Sequence, residues 1–392
     1  MLGAGYAGVR LVHAVDRLAR GRWPIVLVDR HPWHVLRTEL YEVGELARRA
    51  APGRRFTVAI DRVLAGAGAR FQEGEVGSID LPARTVTVGG NALRFGSLAI
   101  CLGSVPAYYG IPGAAAHLHH VYRFRSAETL GAALRAAEEA SAGEAATDRP
   151  RVVVVGGGST GTEVAAEIAT VDWTRVAGQP VPRPRVTLVT GAVPLLAGLP
   201  EGLIHHARDL LGHAGVDLLE GHNVRSVDAR ALTLDDGRAL PFDVGVWAAG
   251  IQAPEIVRGL PVDHGRGGRI AAGPTLEVPG WPGVFGVGDV VEVADAVTGA
   301  PIPATAQAAI AEAEVAARNL VARRQGRPLA PFVYRERGTI VSVGRRAASA
   351  ALRHVTIWGA PAKVLKAAVE REYAVAAARP GHRRRAVKGR RG

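Results

Sequence analysis

The chain of 392 residues holds a single cysteine, Cys101. That excludes a disulfide framework, a cysteine-built metal centre and any redox-active pair of thiols. It also lacks a run of the roughly 18–20 uninterrupted apolar residues that a membrane-spanning helix needs. No basic-then-apolar leader opens it; the first residues run straight into glycines. These absences fit a cytoplasmic protein whose contact with a cell membrane, if it has one, is peripheral. Acid is missing from residues 379–392, which carry seven Lys/Arg within a formal net charge of +12. Such a tail suits an anionic lipid surface, or simply solvent, and no nucleic-acid partner is expected.

Hydrophobic residues make up 48% of the chain, enough to bury the cores of two or three domains. The first local signal is Gly3-Ala4-Gly5-Tyr6-Ala7-Gly8, which leads into helical spacing of Leu11, Val12, Val15 and Leu18. A short apolar strand, Ile25-Val26-Leu27-Val28, then ends at Asp29. Roughly 150 residues later the unit recurs. Val152-Val153-Val154-Val155 precedes Gly156-Gly157-Gly158-Ser159-Thr160-Gly161, a helix face at Val164, Ala165, Ile168 and Ala169, and the strand Val186-Thr187-Leu188-Val189.

A glycine motif between strand and helix has a specific use. Its first glycine makes the tight turn, the second admits a pyrophosphate to the backbone N–H groups, and the third lets the helix pack close to the sheet. The anion rests at the helix N-terminus. One copy is a weak signal; two copies of strand, glycine turn and helix are a strong one. In the first copy Asp29 is placed to accept from ribose hydroxyls. In the second, Thr190 stands where that acid would be, which leaves the choice between NADH and NADPH open.

Between the units, residues 71–88 read as a hairpin or meander, and residues 98–101 as a buried strand ending near Gly103. Residues 141–150 read as a loop. Residues 244–247 form another apolar run before Ala248-Ala249-Gly250, and residues 284–287 another before Gly288-Asp289. Residues 304–322 have an Ala-rich helical pattern. From about residue 331 the pattern suggests two strands and a helix over residues 361–378. Only Met1-Leu2 precedes Gly3, too little for the strand that this unit requires. The expectation is an apolar run upstream, and an exposed, unpaired sheet centre without it.

The order Gly3-x-Gly5-x-x-Gly8, Leu102-Gly103, Gly156-x-Gly158-x-x-Gly161, Ala248-Ala249-Gly250 and Gly288-Asp289 resembles the FAD/NAD(P)-dependent pyridine nucleotide oxidoreductases. The resemblance covers residues 2 to about 320. It implies an α/β fold with two nested Rossmann-like domains and a small C-terminal α+β domain. The FAD domain would take residues 1–117 and 250–328, the NAD(P)H domain residues 118–249, and the C-terminal domain residues 329–378, with a basic tail at 379–392. Gly3, Gly5, Gly8, Asp29, Arg30, Gly103, Gly288 and Asp289 would hold FAD, with Asp289 on its ribityl chain. Gly156, Gly158, Gly161, Thr190 and Gly250 would line the NADH or NADPH site.

Within that superfamily, disulfide reductases, sulfide:quinone reductases and CoA-disulfide reductases need cysteines that this chain lacks. Cys101 itself reads as a small hydrophobe in a core strand. The chain is instead similar to type II NADH dehydrogenases, single-subunit, non-pumping NAD(P)H:quinone oxidoreductases. Val28-Asp29-Arg30-His31-Pro32-Trp33-His34, Leu40-Tyr41, residues 103–113 and Gly161-Thr162-Glu163-Val164-Ala165-Ala166-Glu167 carry the similarity. It implies that Glu163 lies near the nicotinamide–flavin contact, whereas a dipole-favoured helix-start Glu is the plain alternative. Gln307 matches the family near the flavin ring. Ala311-Glu312 replaces the family's Gln-Gln, and Arg37-Thr38-Glu39 replaces its Thr-Pro-Leu, so the quinone partner is left unspecified. A soluble reductase of a ferredoxin- or rubredoxin-like carrier, or a low-turnover flavoprotein sensor, is also compatible. The C-terminal helix, with Trp358 before it and Lys363, Lys366 and Arg371 along it, suits packing on the protein itself, on a second copy as a homodimer, or on a membrane surface.

Overall fold

A computed structural model describes residues 1–48, 53–141, 149–352 and 355–378. The loop expected at 141–150 and the basic tail at 379–392 fall largely or wholly outside the described residues. The chain begins at the centre of a parallel sheet. Helix α1 (Tyr6–Ala19) follows the first glycine turn and leads to β1 (Ile25–Asp29). β1 pairs in parallel with β2 (Ala69–Glu73), so Phe71 belongs to this sheet and not to the meander expected there; the meander is confined to Val76–Asp80, Thr85–Val88 and Asn91–Arg94. β3 (Leu98–Ile100) lies on the other side. Leu2 bridges both Val28 and Ile100, donating to Ala99 O at 2.9 Å and accepting from Cys101 N at 2.8 Å. Gly3 N donates to Val28 O at 2.7 Å. Met1, Leu2 and Gly3 thus pair with both neighbouring strands over the positions they reach.

The chain then builds a second sheet from β4 (Arg151–Val155), α2 (Ser159–Thr170), β5 (Arg185–Val189), α3 (Glu201–Ala214), β6 (Val216–Leu219) and β7 (Val244–Trp247). Its order is β6-β5-β4-β7, all parallel, with β4 central and almost wholly buried, as its run of four valines demands. A three-stranded antiparallel ribbon, Val224–Val227, Ala231–Leu234 and Ala239–Pro241, bridges β6 and β7. The chain returns to the first sheet with β8 (Val284–Gly286), paired in parallel with β3, and α4 (Ala306–Arg324), which packs on α1. Small residues on the two helices, Ala7, Ala309, Ala313, Ala316 and Ala317, are all buried, which suits close helix packing.

The C-terminal segment has three antiparallel strands where two were expected, β9 (Thr339–Ser342), β10 (Ala348–Leu352) and β11 (Val355–Gly359), followed by α5 (Ala360–Ala378). The extra strand, Ala-Ser-Ala-Ala-Leu, has no alternation of apolar and polar side chains because four of its five residues are buried. α5 packs against all three strands and reaches the first domain's Tyr6 and His34 through Tyr373.

Candidate functional site

The two glycine turns have one geometry. Gly3 and Gly156 have φ of +101° and +116°, a region that glycine alone adopts readily. A Cβ on Gly3 would lie 2.3 Å from Cys101 O, and one on Gly156 would lie 2.5 Å from the Ala248 carbonyl carbon. A Cβ on Gly8 or Gly161 would lie 1.9 or 1.8 Å from the carbonyl oxygen of Gly3 or Gly156. The middle glycines behave oppositely. Gly5 and Gly158 have ordinary extended backbones and a Cβ on either would meet nothing within 4 Å. Each is the N-cap of its helix with no side chain satisfying the N–H groups, and neither helix has an acid in its first turn. Open space, unpaired donors and the positive end of a helix dipole together make an anion cradle. The chain has two.

The residues expected around the first cradle are brought together. Asp29 Oδ2 accepts from Ala4 N at 2.7 Å and Oδ1 from His31 N at 3.0 Å, which fixes the carboxylate beside the glycine turn. Gly288 has φ +85° and approaches α1, since a Cβ there would stand 3.2 Å from Ala7 Cβ. Asp289 accepts from Ser104 Oγ at 2.9 Å and pairs with Arg37 Nη1 at 3.5 Å. A Cβ on Gly103 would lie 3.3 Å from the same Arg37 nitrogen. Arg30 turns outward and pairs with Glu75 at 3.0 Å. Arg37 and Ser104 are the residues that sequence reasoning missed. Their signals were the departure at Arg37-Thr38-Glu39 and the position of Ser104 just after Gly103.

Glu312 explains one departure from the family pattern. It is buried, its Oε2 accepts from Gly288 N at 2.6 Å, and desolvation pushes its carboxyl up to about 8. It braces the turn that presents Asp289. Cys101 is also buried, and burial pushes its thiol up to about 12, as a small core hydrophobe requires.

Glu163 does not behave as a helix-start Glu. Its Oε1 accepts from Ser342 N at 3.0 Å on β9 and pairs with Lys366 Nζ on α5. Lys366 also lies 4.5 Å from the centre of the Tyr41 ring. Lys363 donates to Ser342 Oγ at 2.9 Å, and Tyr41 OH is 3.1 Å from the same hydroxyl. Of the roles the sequence left open for the C-terminal helix, Lys363 and Lys366 take packing on the protein: both ammonium groups turn inward. Gln307 Nε2 donates to Tyr334 OH at 2.7 Å and shares no partner with Glu163 among the described residues.

At the second cradle, Gly250 has φ +141° and packs against the Tyr109 hydroxyl. Thr190 stands beside the second glycine turn as Asp29 stands beside the first, but carries no charge. It is buried under Gly157, where its Cγ2 lies 2.5 Å from the place of a glycine Cβ, and its Oγ1 has no partner among the described residues.

A doubly cradled α/β fold, one sheet inserted into the other, defines a protein with two dinucleotide-binding sites. The chain belongs to the pyridine nucleotide-disulphide oxidoreductase family, whose profile matches residues 1–313. Demethylphylloquinone reductase of Synechocystis sp. is 27% identical over 355 residues, 88% of this chain and 84% of that protein. Type II NADH:quinone oxidoreductase of Staphylococcus aureus is 27% identical over 365 residues, covering 88% and 87%. Among solved structures, NDH2 of Plasmodium falciparum in complex with NADH superposes with a TM-score of 0.82 over 95% of this chain and 93% of that one, at 15% identity, a likeness of fold.

Proposed function

We propose that the protein is an FAD-dependent NAD(P)H dehydrogenase that delivers electrons to a quinone without pumping protons. The observation that carries this reading is the pair of matched glycine cradles, each with its middle glycine facing open space. FAD fits the first cradle: Gly3, Gly5 and Gly8 would admit its pyrophosphate, Asp29 its adenosine ribose, and Asp289, beside Gly103, its ribityl chain. The nicotinamide nucleotide fits the second, with Gly156, Gly158 and Gly161 at the pyrophosphate and Gly250 at the crossover between domains. A flavin held there would supply the redox chemistry that links a two-electron hydride donor, the dihydronicotinamide, to a two-electron acceptor, the quinone. The protein orients the two and excludes water. Glu163, fixed by Lys366 and Ser342, is the group available to position the nicotinamide or to hold a proton, and Gln307, fixed by Tyr334, borders the flavin ring. The quinone reductases among its relatives support the acceptor.

The domain division at residues 117, 249 and 328 belongs to the same reading. So does peripheral attachment to the cytoplasmic face of a membrane. Its support is an exposed apolar surface on β11 and α5, with Val364 70% and Trp358 52% exposed, and no described helix long and apolar enough to cross a bilayer. A homodimer built on α5 would use the same surface. Steady-state oxidation of NADH and NADPH with a menaquinone analogue tests the function. Rapid turnover supports it, whereas turnover only with a ferredoxin- or rubredoxin-like protein, or none with any acceptor, refutes it.

A further inference from the structure

The residue that ordinarily reads the adenosine ribose is the one just past the second strand of the nucleotide unit. Here that residue is Thr190, buried against Gly157 and uncharged. A cavity of about 350 Å³ nevertheless opens at this edge, beyond the carboxyl ends of β5 and β6, lined by Gly191, Ala192, Pro194, Arg208, Glu220 and Gly221. Thr190 is not part of its lining. Thr190 N donates to Leu219 O at 2.8 Å, so Glu220, the residue just past β6, sits beside position 190 one strand over.

We infer that Glu220 and Arg208 together read the 2′ position of the nucleotide's adenosine ribose, in place of residue 190. The inference rests on the proposed use of the second cradle for NAD(P)H. Glu220 Oε1 accepts from Leu195 N at 3.0 Å and from Arg208 Nη2 at 3.2 Å, and Oε2 accepts from Arg208 Nη1. An ionised carboxylate offers about four acceptor sites. Three are engaged, and the fourth is free for a ribose hydroxyl. The Arg208 hydrogen bonds hold Glu220 below the usual carboxylate range, so it is charged at neutral pH. Arg208 has five N–H donors and spends two on Glu220. The remainder suit a 2′-phosphate, which the neighbouring carboxylate opposes. The pair thus holds both determinants, an anion for the hydroxyl and a cation for the phosphate, each weakened by the other. The wild-type protein accepts both nucleotides.

The test is the ratio of kcat/KM for NADPH to that for NADH, with Kd values for 2′,5′-ADP and 5′-AMP measured by calorimetry on the flavin-loaded protein. Glu220→Gln keeps the shape and releases Arg208; the ratio should rise tenfold or more, and 2′,5′-ADP should tighten relative to 5′-AMP. Arg208→Met leaves the carboxylate unopposed, so the ratio should fall tenfold or more. Thr190→Val should leave the ratio within twofold. A ratio unmoved by both charge changes, or a shift produced by Thr190→Val alone, would overturn the inference. If the wild-type flavin is reduced by neither nucleotide, the proposed function fails instead, and the two failures are told apart by that control.

Discussion

The glycine cradles make opposite predictions for substitutions of one methyl group. Gly5 and Gly158 have backbones that alanine adopts without strain, and the added Cβ would meet nothing within 4 Å. Gly5→Ala and Gly158→Ala should therefore fold with unchanged thermal stability in the ligand-free state. Their methyl groups project into the slots proposed for the pyrophosphates, so Gly5→Ala should lose most of its FAD and Gly158→Ala should raise KM for NADH at least tenfold. Gly8 and Gly161 differ. A methyl there would lie 1.9 or 1.8 Å from a carbonyl oxygen, against an ordinary contact of about 3.4 Å. Helix and sheet must separate by more than 1 Å to admit it. Overpacking of this kind costs roughly 1–3 kcal/mol, and a clash with backbone at so short a distance belongs at or above the top of that range. Thermal and urea unfolding of ligand-free protein, with FAD counted by absorbance after release, separate the two classes. If Gly5→Ala retained full FAD, or if Gly8→Ala unfolded like the wild type, the assignment of the cradles would be refuted.

The Glu163–Lys366 pair joins α2 to the C-terminal helix with both side chains about nine-tenths buried. Lys366→Met should destabilise by about 3–5 kcal/mol, because it strands a buried carboxylate, and Glu163→Gln added to it should restore most of the loss. A double variant no more stable than Lys366→Met would show the charge pair is not the cause. In kinetics, Glu163→Gln should slow flavin reduction by NADH in stopped flow while FAD stays bound; unchanged rates would leave Glu163 a tether for α5 only. Burial raises the Glu138 carboxyl from its ordinary 4.5 to about 8. Its share of stability is present at low pH and is lost as pH rises through the folded-state value, so this group's contribution should decline between about pH 4.5 and 8. Glu138→Met should flatten that decline in urea unfolding at pH 5 and pH 8, and an identical pH dependence in the variant would refute the assignment. Asp289→Ala should release FAD without unfolding the chain, since buried Ser104 keeps Arg37 as a partner at 3.4 Å and Arg37 stays partly exposed; full flavin retention would remove Asp289 from the site.

The cradles were legible in the sequence because their geometry is local. Glycine spacing dictates the turn, and the flanking apolar runs dictate strand and helix. Asp29 and Gly288-Asp289 were legible for the same reason, each sitting at the end of a buried strand. What was hidden depends on distant pairing. Lys366 looks like a surface lysine until α5 docks and brings it to Glu163, 203 residues away in sequence. Glu312 looks like a departure from a glutamine until α4 carries it under Gly288. Thr190 occupies the expected position in the chain, yet it is buried against Gly157 and uncharged, and the cavity edge beside it is lined by Glu220. The third C-terminal strand was missed because Ala348–Leu352 is buried on both faces and carries no period.

The central claim is that this chain holds FAD and that a nicotinamide nucleotide reduces it. Anaerobic addition of NADH to the purified protein, followed from 300 to 700 nm after the bound flavin has been identified by chromatography, tests this most directly. One FAD per chain, bleached stoichiometrically by NADH and restored by a menaquinone analogue, is the predicted result. Released FMN, a chain that binds no flavin on reconstitution, or a flavin that NADH leaves oxidised would contradict it.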